Sequence, residues 1–168
     1  MSEAELKHEP EQKVQRNVGL FVDLKNLSSK VDLRRIDRFA ASFGRVTVKR
    51  VYMPGYNWRL AKHARSIGLE PVLVSGTNKE SVIDAVMIVD MMDEGFHDRI
   101  STVVVVSGDG DFEPAVRRLR EEGKFVVVVS PVQSLSRSLL SAADRVEPYG
   151  CLSATQGGLR TKRFENSR

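Results

Sequence analysis

Aspartates follow two apolar segments of the chain, and their positions suggest the chemistry of a cation site. Asp23 ends the apolar run Val-Gly-Leu-Phe-Val, and Asp109 and Asp111 lie in Ser-Gly-Asp-Gly-Asp, directly after Thr-Val-Val-Val-Val. An acid at the end of a buried strand emerges at the edge of a sheet, where ligands bind in open α/β folds. For Asp23 the alternative is that it shapes the following loop through hydrogen bonds to backbone N–H groups.

A third acid, Asp84, lies in the first turn of a helix expected to begin at Ser81 and to end near Glu94. This helix is apolar on most sides, so we expect it to be largely buried. The acid at its amino end would then point towards the same edge as Asp23. The alternative is that Asp84 only provides favourable charge against the helix dipole. Two later acids face other directions and are expected to be surface or structural residues: Asp90 and Asp93.

The Ser-Gly-Asp-Gly-Asp segment admits two interpretations. Its glycines are expected to let the backbone turn sharply and approach a ligand, in front of a helix that begins near Phe112. In the other interpretation Asp111 is the N-cap of that helix and Asp109 is a loop residue. Because one cap suffices for one helix, a functional role is favoured for Asp109. For Asp111 the two interpretations stay open.

The residue types restrict which cation such a site would bind. Several carboxylates that converge without compensating bases repel one another unless a cation is present. Oxygen-only ligands select hard cations, so the expected ion is Mg²⁺ or Mn²⁺. The chain has one cysteine and three histidines, none near an acidic motif, which disfavours zinc. Phosphate-loop, dinucleotide and serine-nucleophile motifs are absent from the sequence.

The elements that position these acids alternate between strands and helices. Strands are expected at residues 18–23, 45–53, 69–76, 102–106 and 125–129, with helices between them and a sixth strand, at the edge of the sheet, near residue 145. Repeated βαβ units with short connections predict an α/β three-layer sandwich with a mostly parallel sheet. In such a fold the chemistry collects at the carboxyl ends of the strands, where the strand order reverses.

Length and charge describe one domain with a weak preference for polyanionic partners. The chain has 168 residues and a formal net charge of +4. We expect a disordered N-terminal tail at residues 1–16, the domain at 17–150 and a flexible basic tail at 151–168. No apolar run approaches the roughly 20 residues of a membrane span. The polar N-terminus lacks a signal-peptide pattern, so a cytoplasmic location is expected.

Three segments together resemble the NYN family of PIN-like ribonucleases, in its bacterial and archaeal branch: VGLFVDLKN, KESVIDAVMIVDMM and VVVVSGDGDFEPAVRRLREEGK. The resemblance implies strand order 3-2-1-4-5 and one or two Mg²⁺ or Mn²⁺ ions that activate water for phosphodiester cleavage. It implies that the ions are bound by four acids: Asp23, Asp84, Asp109 and Asp111. Asn26 and Ser107 would orient the acids or a phosphate.

Contacts to an RNA substrate are expected mainly from the loop after the second strand. Tyr56 and Trp58 offer rings for base stacking, and Arg59 and Lys62 offer charges for phosphates. The alternative is that Trp58 packs on the sheet. Further candidates for substrate contact are Lys25 and Gly108, which lie close to acids in the sequence, and Arg34, in the first predicted helix.

These expectations lead to a metal-dependent ribonuclease that hydrolyses RNA phosphodiester bonds. A non-catalytic RNA-binding module on the same fold is the alternative, and metal-dependent cleavage of RNA separates the two. A phospho-receiver domain is set aside, because the aspartate after the third strand and the lysine after the fifth strand are missing. Whether the protein forms a homodimer stays open.

Overall fold

The computed structural model describes residues 16–25, 27, 31–74 and 80–152. The strands are β1 (Asn17–Asp23), β2 (Arg45–Pro54), β3 (Glu70–Val74), β4 (Ile100–Val106), β5 (Phe125–Ser130) and β6 (Arg145–Pro148). The α-helices are α1 (Leu33–Ala41), α2 (Trp58–Ser66), α3 (Glu80–Gly95), α4 (Glu113–Glu121) and α5 (Arg137–Ala142). Short 3-10 helices cover Gly110–Phe112, Val132–Ser134 and Tyr149–Cys151.

Within the described residues the strands form one parallel sheet with the order β3-β2-β1-β4-β5-β6. This order confirms the predicted α/β fold, and β6 extends the sheet beyond β5. The strand order reverses between β1 and β4. Val22 pairs with Val106 in that central pair, so the loops after these two strands leave the sheet at the same level. A crevice at such a reversal is the usual ligand position in open α/β sheets.

The central strands are apolar on both faces because helices cover both faces. On one face, α1 and α2 pack with residues such as Leu20 and Val104. On the other face, α3, α4 and α5 pack with residues such as Phe21 and Val105. Two separate apolar clusters therefore hold the sheet in the middle layer, which is the predicted three-layer arrangement.

Glycines follow three of the helices. Gly44, Gly68 and Gly123 follow α1, α2 and α4 with positive φ angles, a conformation that favours glycine at the end of a helix. Asn57 occupies the N-cap position of α2, and its side chain makes no capping hydrogen bond.

The ordered fold extends beyond the expected start of the C-terminal tail. Leu152 is 1% exposed and belongs to the apolar cluster under α1. Arg35 donates hydrogen bonds to the carbonyl oxygens of Gly150 and Leu152, and the backbone N–H of Asp32 donates to the Tyr149 hydroxyl. The packed structure therefore includes Leu152, and the predicted domain boundaries stay a prediction. In the described part of the chain, no helix is long and apolar enough to cross a membrane.

Candidate metal centre

Three carboxylates meet at the carboxyl edge of the sheet. Asp84, Asp109 and Asp111 each offer one oxygen, and these three atoms all lie within 4.8 Å of one another. Oxygen ligands of one octahedral Mg²⁺ are separated by about 3–4 Å, given metal–oxygen distances of about 2.1 Å. Asp84 is buried, Asp109 is half-buried and Asp111 is exposed, so the cluster is open to solvent on one side. Small side-chain adjustments would bring the three oxygens around one ion.

Asp84 shows the strongest sign of an unmet need for positive charge. The residue is 5% exposed, and its Oδ1 atom is buried without a hydrogen-bond partner among the described residues. Burial raises the pKa of the Asp84 carboxyl, Lys25 opposes this effect, and the negative charges of Asp109 and Asp111 add to it. A buried carboxylate oxygen without a donor is costly. Cation binding at this oxygen would remove that cost, so the donor set fits a hard divalent ion.

A lysine ammonium also lies in this cluster, which corrects one expectation. The Nζ atom of Lys25 is 2.6 Å from Asp84 Oδ2, and the two side chains are 12% and 7% exposed. The assumption that the acids converge without a compensating base was therefore wrong. Lys25 follows Asp23 by two residues, so the carboxyl end of β1 supplies an acid and a base to the same edge. Lys25 was expected at the substrate, and contact with a substrate stays a prediction.

Asp23 is connected to the loop that carries Asp109 through a serine. Asp23 is 1% exposed, and its Oδ2 atom accepts a hydrogen bond of 3.0 Å from the hydroxyl of fully buried Ser107. The same hydroxyl accepts a hydrogen bond of 3.2 Å from the backbone N–H of Asp109. Ser107 thus joins the end of β1 to the loop after β4. Metal binding by Asp23 itself stays a prediction.

Asp109, and not Asp111, is the helix cap in this loop. The Asp109 side chain accepts a 3.0 Å hydrogen bond from the backbone N–H of Asp111 and caps the 3-10 turn Gly110–Phe112. The interpretation of Asp111 as the N-cap was therefore wrong. The helical segment begins with a 3-10 turn before α4, which moves the cap two residues towards the N-terminus. The exposed side chain of Asp111 is left within reach of the other carboxylates.

The glycines of this loop make room for a neighbouring segment of the chain. A Cβ atom at Gly108 would lie 2.2 Å from the carbonyl oxygen of Ser134, and one at Gly110 would lie 3.0 Å from the Ser138 hydroxyl. The backbone N–H of Ser136 donates to the Gly108 carbonyl at 2.9 Å. Neither glycine has a positive φ angle, so the expected sharp turn is not their reason. Substrate contact at Gly108 stays a prediction.

The loop before α2 and the first turns of this helix present aromatic and basic side chains at the same edge of the sheet. Tyr56 is 69% exposed and Trp58 is 62% exposed, so the alternative in which Trp58 packs on the sheet was wrong. Arg59 and Lys62 are exposed, and the Arg59 guanidinium lies 5.4 Å from the centre of the Trp58 ring. The loop follows β2, the neighbour of β1 on the side away from β4.

Other sequence candidates lie away from this cluster. Asn26 lies outside the described residues. Arg34 is exposed in the first turn of α1. Asp90 accepts a 2.8 Å hydrogen bond from the Tyr52 hydroxyl and pairs with Arg50, which agrees with its expected structural role. Sequence reasoning missed the pairing of Lys25 with Asp84. The only signal for this pair in the sequence was a lysine two residues after an acid that ends a strand.

A parallel α/β sheet with carboxylates gathered at its order reversal is the arrangement of PIN-like nuclease folds. The NYN domain family model matches residues 17–150 of this chain. The chain therefore belongs to the NYN domain family. Domains of this family are generally nucleases that use divalent metals, and the acidic cluster described above can bind such an ion.

One relative and one solved structure with a similar fold extend this comparison. The chain is 31% identical over 142 residues to "Uncharacterized protein MJ0482" of Methanocaldococcus jannaschii, which covers 82% of this chain. The match spans 57% of the length of that relative. The fold is similar to the crystal structure of a protein of unknown function, VPA0982 from Vibrio parahaemolyticus, with a TM-score of 0.72 and 21% identity. That similarity covers 83% of this chain and 96% of the other.

Proposed function

We propose that this protein is a metal-dependent ribonuclease that hydrolyses phosphodiester bonds of RNA at the Asp84, Asp109 and Asp111 cluster. The observation that carries the proposal is the donor set itself: one carboxylate oxygen from each of three aspartates lies within 4.8 Å of the others, and the buried Oδ1 atom of Asp84 lacks a hydrogen-bond partner among the described residues. Family membership supports the same class of reaction.

Each acid has a distinct part in the proposed site. Asp84 is held by α3 and Asp109 by its capping bond, so these two would provide rigid ligands for Mg²⁺ or Mn²⁺. Asp111 would close the site from the solvent side. When bound, such an ion lowers the pKa of a water molecule and offsets the charge on the scissile phosphate. Asp23 would support the site through Ser107, and would also increase its negative charge.

The substrate proposal rests on the exposed loop and helix at the end of β2. Exposed aromatic rings beside basic side chains suit single-stranded RNA, because bases stack on the rings while phosphates pair with the charges. Helix α2 contains no acidic residue, and it supplies three positive charges, from Arg59, Lys62 and Arg65. We propose Arg59 and Lys62 as phosphate contacts, with Trp58 as the stacking surface.

A cleavage assay on mixed RNAs tests the proposed function. Purified protein would be incubated with Mg²⁺, Mn²⁺ or EDTA, together with Asp109→Asn and a matched control, Asp98→Asn. Asp98 is exposed in the turn before β4, at the opposite edge of the sheet, so its neutralisation controls for loss of one negative charge. We expect cleavage by the wild type and Asp98→Asn with metal, and none by Asp109→Asn. Equal rates for all three proteins would refute the proposed site.

The second candidate function is RNA binding without cleavage. It is favoured by one observation, the pairing of Lys25 with Asp84, because an internal ammonium already neutralises one of the acids. Under this alternative the protein binds RNA with equal affinity in Mn²⁺ and in EDTA, and no product appears. Measuring binding and cleavage in the same samples separates the two functions.

A further inference from the structure

Lys25 brings a positive charge to the acidic cluster. Its Nζ atom contacts Asp84 Oδ2 at 2.6 Å, while Asp84 Oδ1 is buried and has no hydrogen-bond partner among the described residues. One carboxylate therefore has one oxygen on an ammonium and one oxygen available to a cation. An ion bound at Oδ1 would lie about 4–6 Å from the ammonium, close enough for a strong mutual effect.

The charges of the cluster make the same point. Asp84, Asp109 and Asp111 carry three negative charges, and Lys25 returns one positive charge. The cluster therefore keeps a net negative charge for a divalent ion, and buried Asp23, joined to this loop through Ser107, adds to it. Both partners of the ion pair are mostly buried, at 12% and 7% exposure, so solvent screens their interaction less than it screens a surface pair.

We propose that Lys25 is an internal counter-charge that competes with the divalent ion for Asp84 and thereby lowers the metal affinity of the site. Without metal, the ammonium stabilises the buried carboxylate. With metal, its repulsion weakens binding, so the site fills only at higher ion concentrations. Lys25 is thus a positioning residue for Asp84. The inference rests on the proposed metal site.

The test is a titration of the full chain with Mn²⁺ alone, without RNA. Binding is measured by calorimetry and by the electron paramagnetic resonance signal of free Mn²⁺. Lys25→Gln keeps a hydrogen-bond donor for Asp84 and removes the charge, and Lys25→Arg keeps the charge. Lys49→Met is the matched control, because Lys49, in the middle of β2, pairs at 2.8 Å with Asp37 of α1, away from the carboxyl edge of the sheet.

We expect Lys25→Gln to bind Mn²⁺ at least about tenfold more tightly than the wild type, since one unit charge at 4–6 Å changes proton affinities by about 10-fold to 1,000-fold. Lys25→Arg and Lys49→Met should bind as the wild type does. Thermal unfolding is a second readout. Lys25→Gln should unfold at a lower temperature without metal, and Mn²⁺ should raise that temperature more than it does for the wild type.

Equal or weaker Mn²⁺ binding by Lys25→Gln would overturn the inference while leaving the proposed function intact. If that variant also lost RNA affinity, Lys25 would be a substrate contact instead. Binding by Lys25→Gln but not by the wild type would support the inference and contradict metal-dependent catalysis by the natural chain. Absence of binding in both proteins would refute the inference and the proposed function together.

Discussion

The two ends of helix α3 carry acids in contrasting environments. Near its amino end, Asp84 contacts Lys25 and lies with Asp109 and Asp111. Further along the helix, Asp90 and Glu94 belong to a network of positive and polar groups. Arg50 contacts Asp90, Glu94 and Glu70 at 3.0–3.4 Å, Arg99 contacts Glu94 at 2.9 Å, and the Tyr52 hydroxyl donates to Asp90 at 2.8 Å.

These regions differ in whether the carboxylate oxygens have hydrogen-bond partners, rather than in the number of acids. Asp84 has a buried oxygen without a hydrogen-bond partner among the described residues, whereas Asp90 and Glu94 have no such atom. Burial, and then the bond to Asp90, raise the pKa of the Tyr52 hydroxyl, so it stays protonated as a donor. A satisfied network stabilises the fold, and an unsatisfied cluster is available for a ligand.

The largest effect is expected when the unsatisfied cluster loses a central acid. Asp109→Asn removes a ligand charge but keeps a side-chain oxygen for the capping bond to the Asp111 N–H. Metal-dependent RNA cleavage should fall more than about 100-fold, since loss even of groups that support a ligand costs about 10-fold to 100-fold. Circular dichroism should show an unchanged fold. Cleavage at the wild-type rate would move the chemistry elsewhere.

A smaller loss is expected one hydrogen bond away from the cluster. Ser107→Ala removes the hydroxyl that connects Asp23 to the Asp109 backbone. Cleavage should fall about 10-fold to 100-fold, the usual range for groups that orient metal ligands. The rate should be measured at saturating Mn²⁺. A rate that returns to the wild-type value there would mean that Ser107 affects only ion affinity.

Asp111 tests the open side of the cluster. Because Asp109 is the cap, Asp111→Ser and Asp111→Ala should both change the free energy of unfolding by less than about 0.5 kcal/mol, the usual range at exposed positions. Both variants should lose activity at low Mg²⁺ and recover part of it at high Mg²⁺, since a weakened site still fills by mass action. A wild-type Mg²⁺ dependence in both variants would leave a site without Asp111.

The smallest effect on activity is expected in the satisfied network. Asp90→Asn weakens the contacts with Arg50 and the Tyr52 hydroxyl, so the protein should lose about 1.5–3 kcal/mol of unfolding free energy, the range for hydrogen bonds to charged groups. Cleavage below the unfolding temperature should stay at the wild-type rate. Chemical denaturation and a cleavage assay measure the two quantities. A large loss of activity with unchanged stability would mean that Asp90 belongs to the functional site and not to a structural network.

The fold was largely predictable because it depends on local patterns. Continuous apolar runs such as residues 18–22 and 102–106 suit only strands covered on both faces, and the helix periodicity and terminal glycines separate them. The same patterns put Asp23 and Asp109 at strand ends. Their approach to a common edge then follows from a parallel sheet with an order reversal between β1 and β4.

Details of the site were less predictable because they depend on loop conformation and distant contacts. Lys25 and Asp84 are 59 residues apart in sequence, and their pairing requires the path of the chain after β1. The position of the cap was missed because a 3-10 turn begins the helical segment. The role of Gly108 depends on Ser134, which lies in the segment that follows β5 along the chain.

Diffraction from crystals soaked in Mn²⁺ tests the central claim most directly, because the anomalous signal of the ion locates it without reference to activity. We expect a peak within bonding distance of oxygens of Asp84, Asp109 and Asp111, and no peak at Asp90 or Glu94. No peak among the three aspartates at a saturating Mn²⁺ concentration, or a peak only in the network around Arg50, would contradict it.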